Sequence, residues 1–293
     1  MPQHHVRFAP SPTGDLHLGH IYSALYGWQA ANASPLQFHL RIDDLDHTRC
    51  RVHFIQRHID DLNWLGISWA AEPLYQSKRT DRYQSALSYL QAKELIYPCF
   101  LTRREVDAIL SAPHGLGDGS GDSSGDGSGD DKTDLKIKAP SLKSAIDDSE
   151  AQSRQEAGTV PAWRLDMAKI RKTAPDLSWH DANKGTQHIP WDKMNDTIIA
   201  RRDIGTSYDL SVVLDDYDTA ISLVTRGEDL FHQTHIHRIL QHILSLPTPL
   251  YDHHPLITDD KGKRLAKRDD AKSLATLRQD GATKADIMAL LSL

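Results

Sequence analysis

The pattern of apolar and polar positions opens as strand, turn and helix. Residues 4–8 read as a short strand running into a proline-rich turn, Ala9-Pro10-Ser11-Pro12-Thr13-Gly14, after which Leu18, Ile21, Leu25 and Trp28 recur at helical spacing. Residues 36–42 alternate and hold β-favouring side chains, and Phe54, Ile55, Ile59, Leu62 and Leu65 return to helical spacing. Successive βα units of this kind predict an α/β chain with a doubly wound parallel sheet of Rossmann type.

The texture breaks in the middle. Residues 115–131 are nearly all Gly, Asp and Ser, and the hexapeptide Gly-Asp-Gly-Ser-Gly-Asp occurs at 117–122 and again at 125–130. Such a stretch cannot form a core, and its Asp spacing fits neither an EF-hand nor a calcium-binding β-helix repeat, so a disordered, self-repelling linker is expected. Beyond it, 135–139 and 160–166 read as strands within a polar α+β insertion. Regular α/β texture is expected to resume at 197–202, with apolar runs at 208–214 and 220–225 and a helix over 229–246. A basic loop at 259–272 and helical patterns at 273–279 and 284–291 close the chain. The expected division is 1–97 and 191–258 for the two halves of the sheet domain, 98–190 for the insertion and 259–293 for the basic loop and last helices.

Composition narrows the class. A chain of 293 residues can bury a large core without staples, and Cys50 and Cys99, far apart, fit a reducing compartment better than a disulfide framework. No apolar run is long enough to span a bilayer and no signal-peptide layout opens the chain, so a cytoplasmic monomer is the expectation. A net charge of −6 gives no global attraction to nucleic acid, leaving RNA contact to local clusters such as Arg201-Arg202 and 261–268.

Two elements suggest phosphate chemistry. His17-Leu18-Gly19-His20 follows the first strand at the start of the first helix, where backbone N–H groups and the helix dipole favour phosphate oxygens. Both histidines can donate to the α-phosphate and the leaving pyrophosphate, and Gly19 allows close approach of the adenine. Far downstream, Lys261-Gly262-Lys263-Arg264-Leu265-Ala266-Lys267-Arg268 supplies cations. Lys267 or Arg264 over the pyrophosphate would neutralise charge that builds in the transition state. His232, His235, His237, His253 and His254 lack an obvious converging ligand set, so surface or capping roles are expected, the last two in a loop before Pro255; the tryptophans are expected in the core.

The run from Arg7 to Gly14 followed by His17-Leu18-Gly19-His20 resembles the signature of glutamyl-type class I aminoacyl-tRNA synthetases, and 264–268 resembles their KMSKS loop. Residues 40–46 with Arg49, 207–216 and 224–230 continue the resemblance, which leaves only about 111–189 without a firm match. The resemblance implies a Rossmann catalytic domain with an inserted acceptor-binding-like subdomain. It also implies ATP with Mg²⁺, His17, Gly19, His20 and Lys267 around the nucleotide, and a glutamate site at Arg7, Ala9, Ser11, Asp43, Tyr208 and Arg226. Two arginines and one acid suit a ligand with two carboxylates and one ammonium.

Three departures stand out. Asp43 occupies a position where the family usually has Glu. The loop reads Arg-Leu-Ala-Lys-Arg, with Ala266 where the family has Ser. Cys99 persists but Leu101 replaces a second zinc-ligating Cys, so no zinc is expected. The chain also stops 25 residues after Arg268, where full-length members continue into a helical anticodon-binding domain. The resemblance is therefore to the truncated branch that activates glutamate without tRNA and transfers it to the queuosine base of tRNA for aspartate. Alternatives are a minimal synthetase charging tRNA for glutamate, a non-catalytic protein sensing glutamate or ATP, and a small-molecule nucleotidyltransferase.

Overall fold

The computed structural model describes residues 3–111, 142–257 and 273–291. The Gly/Asp/Ser stretch, the strand expected at 135–139, and the basic loop with Arg264 and Lys267 lie outside the described residues. Ten strands are described: β1 (Val6–Phe8), β2 (Phe38–Ile42), β3 (Leu74–Tyr75), β4 (Ile96–Cys99), β5 (Ala162–Leu165), β6 (Ser178–Asp181), β7 (Gly185–His188), β8 (Ile198–Ala200), β9 (Leu223–Gly227) and β10 (Leu250–His254).

β1, β2 and β3 pair in parallel in that order, and β9 pairs in parallel with β10. The two groups meet where the His5 carbonyl accepts hydrogen bonds from the Ser222 and Leu223 amides, which sets β1 beside β9. The order therefore reverses between β1 and β9, and a crevice opens at their carboxyl ends, the place where open α/β sheets bind ligands.

The helix Leu18–Ala30 buries Ile21, Ala24 and Leu25 on one stripe, as its helical spacing predicts. Gly27 lets it approach β9 closely: a Cβ there would lie 3.0 Å from the Thr225 hydroxyl and 3.4 Å from Phe38 and Val6. Val6, Ile21, Phe38, Ile42 and Leu62 form one core with Leu274 and Ile287 from the last two helices. On the other side, the helices Tyr208–Asp218 and Gln233–Ile243 share a second core with Trp179, Trp191 and Tyr251.

β4, β5 and β8 form a separate antiparallel sheet. This corrects the expectation at 197–202. Ile198–Ala200 has the apolar look of a buried parallel strand, but its partner is β5, with an irregularity at Trp163/Arg164. β6, from the polar middle of the chain, joins β10 in parallel through the pair Tyr251 and Asp181, and β7 hairpins onto it. That single pairing carries Asp181 beneath the crevice.

Candidate active site

A cavity of about 390 Å³ occupies the crevice. It is lined from β1 and the loop after it by Arg7, Ala9 and Ser11, from the first helix by His17, Gly19 and His20, from β2 by Arg41 and, just beyond it, Asp43, from the helix Tyr208–Asp218 by Tyr208, and from β9 by Thr225, Arg226 and Gly227. Every predicted glutamate-site residue and the first predicted nucleotide motif thus share one cavity. Arg264 and Lys267 fall outside the described residues. The chain leaves those residues at Ile257, on the cavity wall, and returns at Ser273, which bridges to His17.

His17 caps the first helix. Its Nδ1 accepts from the Gly19 amide at 3.2 Å, and the His17 amide donates to His20 Nδ1 at 3.4 Å. The rings stack with centroids 3.8 Å apart. Because both Nδ1 atoms accept, a neutral ring at either position has its proton on Nε2, a donor suited to an oxyanion. Gly19 is tied to this geometry, since a Cβ would stand 3.1 Å and 3.2 Å from atoms of the His17 ring.

The arginines of the site are held by buried acids. Arg7 Nε donates to Asp216 Oδ1 at 3.0 Å and Nη1 to the Thr225 carbonyl at 3.1 Å. Arg41 donates through Nη1 to the same Asp216 oxygen at 2.6 Å and grips Asp43 through Nε at 2.7 Å and Nη2 at 3.4 Å. Burial opposes ionisation of Asp216, but the Arg7 and Arg41 guanidinia outweigh it and hold its carboxyl below the usual range. At Asp43 burial wins over Arg41 and pushes the carboxyl upward. Asp215, fully buried, anchors Arg79 at 2.7 Å and Gln76 at 2.8 Å behind this layer.

Arg226 is 5% exposed and has no carboxylate partner among the described contacts. Its Nε meets His253 Nε2 at 3.2 Å, Nη1 meets His237 Nδ1 at 3.3 Å, and Nη2 donates to the Thr234 hydroxyl. The expectation for these histidines is overturned. His235, His237, His253 and His254 are all buried, and the last two sit in β10 rather than a loop; only His232 of the group is exposed. A polar pair before Pro255 reads as a loop in sequence, but here the strand can bury it because partners arrive from distant elements. Asp181 reaches His253 and Ser23 reaches His254 Nε2 at 3.0 Å. Arg41, Thr225, Asp216 and His254 also belong to the site or its support, and the sequence reading gave none of them a site role. Arg41 falls on the polar phase of the alternation at 36–42 and so gave no signal of burial.

Among the described residues no group of three or more His, Cys, Asp or Glu is arranged to hold a metal ion. Cys50 is half-buried and Cys99 buried, both as free thiols. Among the described residues no helix is long and apolar enough to cross a membrane.

Residues 3–293 match the family described as tRNA synthetases class I (E and Q), catalytic domain. The chain is 41% identical, over 98% of its length and 99% of the relative's, to a glutamyl-Q tRNA(Asp) synthetase of Rhodobacter capsulatus. It is 35% identical to another of that name from Nocardia farcinica, over 98% of this chain and 83% of the relative. A glutamate tRNA ligase from Elizabethkingia meningosepticum, solved in complex with its amino acid, superposes with a TM-score of 0.74 at 22% identity. All of this chain is covered, and it spans 61% of the ligase, a likeness of fold.

Proposed function

The chain belongs to the class I tRNA synthetase family for glutamate and glutamine, and from that premise we propose that it activates L-glutamate with Mg-ATP and passes the glutamyl group to queuosine in the anticodon of tRNA(Asp). An α-carboxylate oxygen of glutamate attacks the α-phosphorus, the bond to the β-phosphate oxygen breaks, and pyrophosphate leaves. A hydroxyl of the acceptor then attacks the activated carbonyl and AMP departs with the electron pair of the broken acyl–phosphate bond. No side chain is needed as nucleophile. Positioning and electrostatics supply the catalysis.

In this reading Arg7 and Arg226 receive carboxylate oxygens and Asp43 receives the ammonium. Tyr208 closes the glutamate side together with Ala9 and Ser11, His17 and His20 donate to phosphate oxygens, and Gly19 leaves room for the nucleotide. Lys267 and Arg264 neutralise the departing pyrophosphate. The observation that supports it most is the convergence of Arg7, Asp43, Tyr208 and Arg226 with the stacked His17–His20 pair on one cavity. The acceptor rests on the relatives' printed names and on matches that cover 99% and 83% of their lengths. We place the enzyme in the cytosol as a monomer, which fractionation and sedimentation would check.

Transfer of labelled glutamate to three purified tRNAs tests the acceptor: tRNA(Asp) with queuosine, the same tRNA without it, and tRNA(Glu). Label on the first alone is expected. Label on tRNA(Glu) alone would make the chain a minimal glutamyl-tRNA synthetase. Glutamate or ATP binding with no tRNA-independent pyrophosphate exchange would make it a sensor.

A further inference from the structure

The side chains behind Arg226 form a closed donor–acceptor circuit. His253 Nδ1 lies 2.6 Å from Asp181 Oδ2, and both side chains are fully buried. An ionised carboxylate only accepts, so Nδ1 carries the proton and Nε2 is left as an acceptor. That nitrogen faces two donors, Arg226 Nε at 3.2 Å and the Thr234 hydroxyl at 3.1 Å. The Thr234 oxygen in turn accepts from Arg226 Nη2. The second ring has the opposite polarity. His237 Nε2 lies 3.0 Å from Asp209 Oδ1, so it carries the proton, and Nδ1 accepts from Arg226 Nη1 at 3.3 Å.

Both rings are kept neutral. Burial drives His253 down to about 4, outweighing Asp181, with Arg226 pushing in the same direction as burial. Burial and then Arg226 likewise hold His237 below its ordinary value against the pull of Asp209. Each guanidinium nitrogen has thus used one N–H on a neutral acceptor. One N–H remains on each terminal nitrogen among the described contacts, and the positive charge is not spent on an internal carboxylate.

We infer that the pairs Asp181–His253 and Asp209–His237 are positioning residues: each carboxylate fixes a histidine tautomer so that the ring offers Arg226 an unprotonated nitrogen, and together they aim the guanidinium at the substrate carboxylate. The inference deepens the proposed function and rests on glutamate being the ligand of Arg226. Arg7 differs in kind, because its Nε is already paired with the Asp216 carboxylate. Arg226 is thereby the one of the two carboxylate receptors whose charge is not compensated by a carboxylate among the described contacts.

Asp181→Asn is the direct test. Asp181 Oδ1 accepts from the Asn183 and Lys184 amides at 3.0 Å and 2.9 Å, while Oδ2 faces His253. In the variant the amide oxygen stays on those backbone donors, which turns the NH₂ toward His253 Nδ1. The ring proton is then forced to Nε2, donor against donor at Arg226 Nε. In tRNA-independent pyrophosphate exchange the KM for glutamate should rise about tenfold or more, while the KM for ATP stays within about twofold. His253→Gln, which restores an acceptor near the Nε2 position, should raise glutamate KM less than His253→Leu. Long-range ¹H–¹⁵N spectra of the unsubstituted protein should show His253 protonated on Nδ1 and His237 on Nε2. The reverse tautomers, or an Asp181→Asn enzyme whose glutamate KM is unchanged or moves only in step with that for ATP, would overturn the positioning role. If the unsubstituted protein shows the expected tautomers but no glutamate-dependent exchange, the functional reading fails and the circuit stands.

Discussion

Arg7 and Arg41 share a single carboxylate oxygen, Asp216 Oδ1, at 3.0 Å and 2.6 Å. Two like charges are held side by side at the cavity floor only because this acid, buried in the helix Tyr208–Asp218, lies between them. Removing its charge leaves Arg7 without a carboxylate partner among the described contacts, while Arg41 keeps Asp43 and the more distant Asp215, in a place that water hardly reaches. Asp216→Asn should cost about 3 kcal/mol of stability and raise glutamate KM by at least about tenfold through displacement of Arg7. Urea unfolding alongside exchange kinetics checks both. A variant as stable as the parent with an unmoved KM would show that Arg41 and Asp43 alone organise this floor.

Gly19 separates stability from chemistry. It sits inside the first helix, where alanine is favoured over glycine by up to about 1 kcal/mol, yet a Cβ would press on the His17 ring at 3.1 Å. Gly19→Ala should therefore melt no lower than the parent while exchange falls about tenfold or more, with the loss expressed in the ATP dependence. Equal exchange rates would mean that the stacked His17–His20 arrangement is not needed for phosphate contact.

Much of this site was legible in the sequence, for a local reason. His17, Gly19 and His20 follow the first strand at a helix start that the apolar pattern marks, whereas Arg7, Asp43, Tyr208 and Arg226 were reached through the family resemblance of the short motifs that hold them, motifs that fall near strand ends and helix starts around the crevice. What was not legible depends on contacts across long separations. Nothing near His253 in the chain announces Asp181, which reaches it only because β6 pairs with β10. The helix Gln233–Ile243 follows the same logic: its Ile236, Ile239, Leu240 and Ile243 mark an ordinary apolar face, but Thr234, His235, His237 and Gln241 are buried too. Period alone assigns such polar positions to solvent. Similarly, Ile198–Ala200 has the composition of a parallel strand, and only its register with Ala162–Leu165 shows otherwise.

The buried histidines give a pH dependence of defined sign. Burial lowers both His235 and His253 from 6.5 to about 4. In the unfolded chain these rings take up protons near 6.5, whereas the folded chain resists until about 4. Their contribution is thus complete above 6.5 and is lost as pH falls through that window, at about 1.4 kcal/mol per pH unit for each ring. Acids held low, such as Asp181 and Asp216, act in a lower window, because their stabilisation is lost only as pH falls through their depressed values. These two rings should make the free energy of unfolding roughly 2–4 kcal/mol smaller at pH 5 than at pH 7. His237 and His254, also lowered by burial, add in the same direction, and His253→Gln should remove part of the difference. A flat profile between those two values would refute neutral burial of the pair.

Asp43 offers the sharpest division between binding and folding. Arg41 grips its carboxylate from one side, and the residue also lines the cavity that holds Arg7, Tyr208 and Arg226. Burial raises its carboxyl despite that grip, so the ionised form opposes folding at neutral pH, and that penalty shrinks as pH falls and the raised group protonates. Asp43→Asn keeps an oxygen for Arg41 Nε and removes the charge, while Arg41 retains Asp216 at 2.6 Å and Asp215 at 3.9 Å. Stability should change by less than about 1 kcal/mol. The substrate ammonium, by contrast, loses its counter-charge, and glutamate KM should rise at least about tenfold with little change in that for ATP. An unchanged KM would place the ammonium elsewhere in the cavity and leave Asp43 as a partner of Arg41 alone.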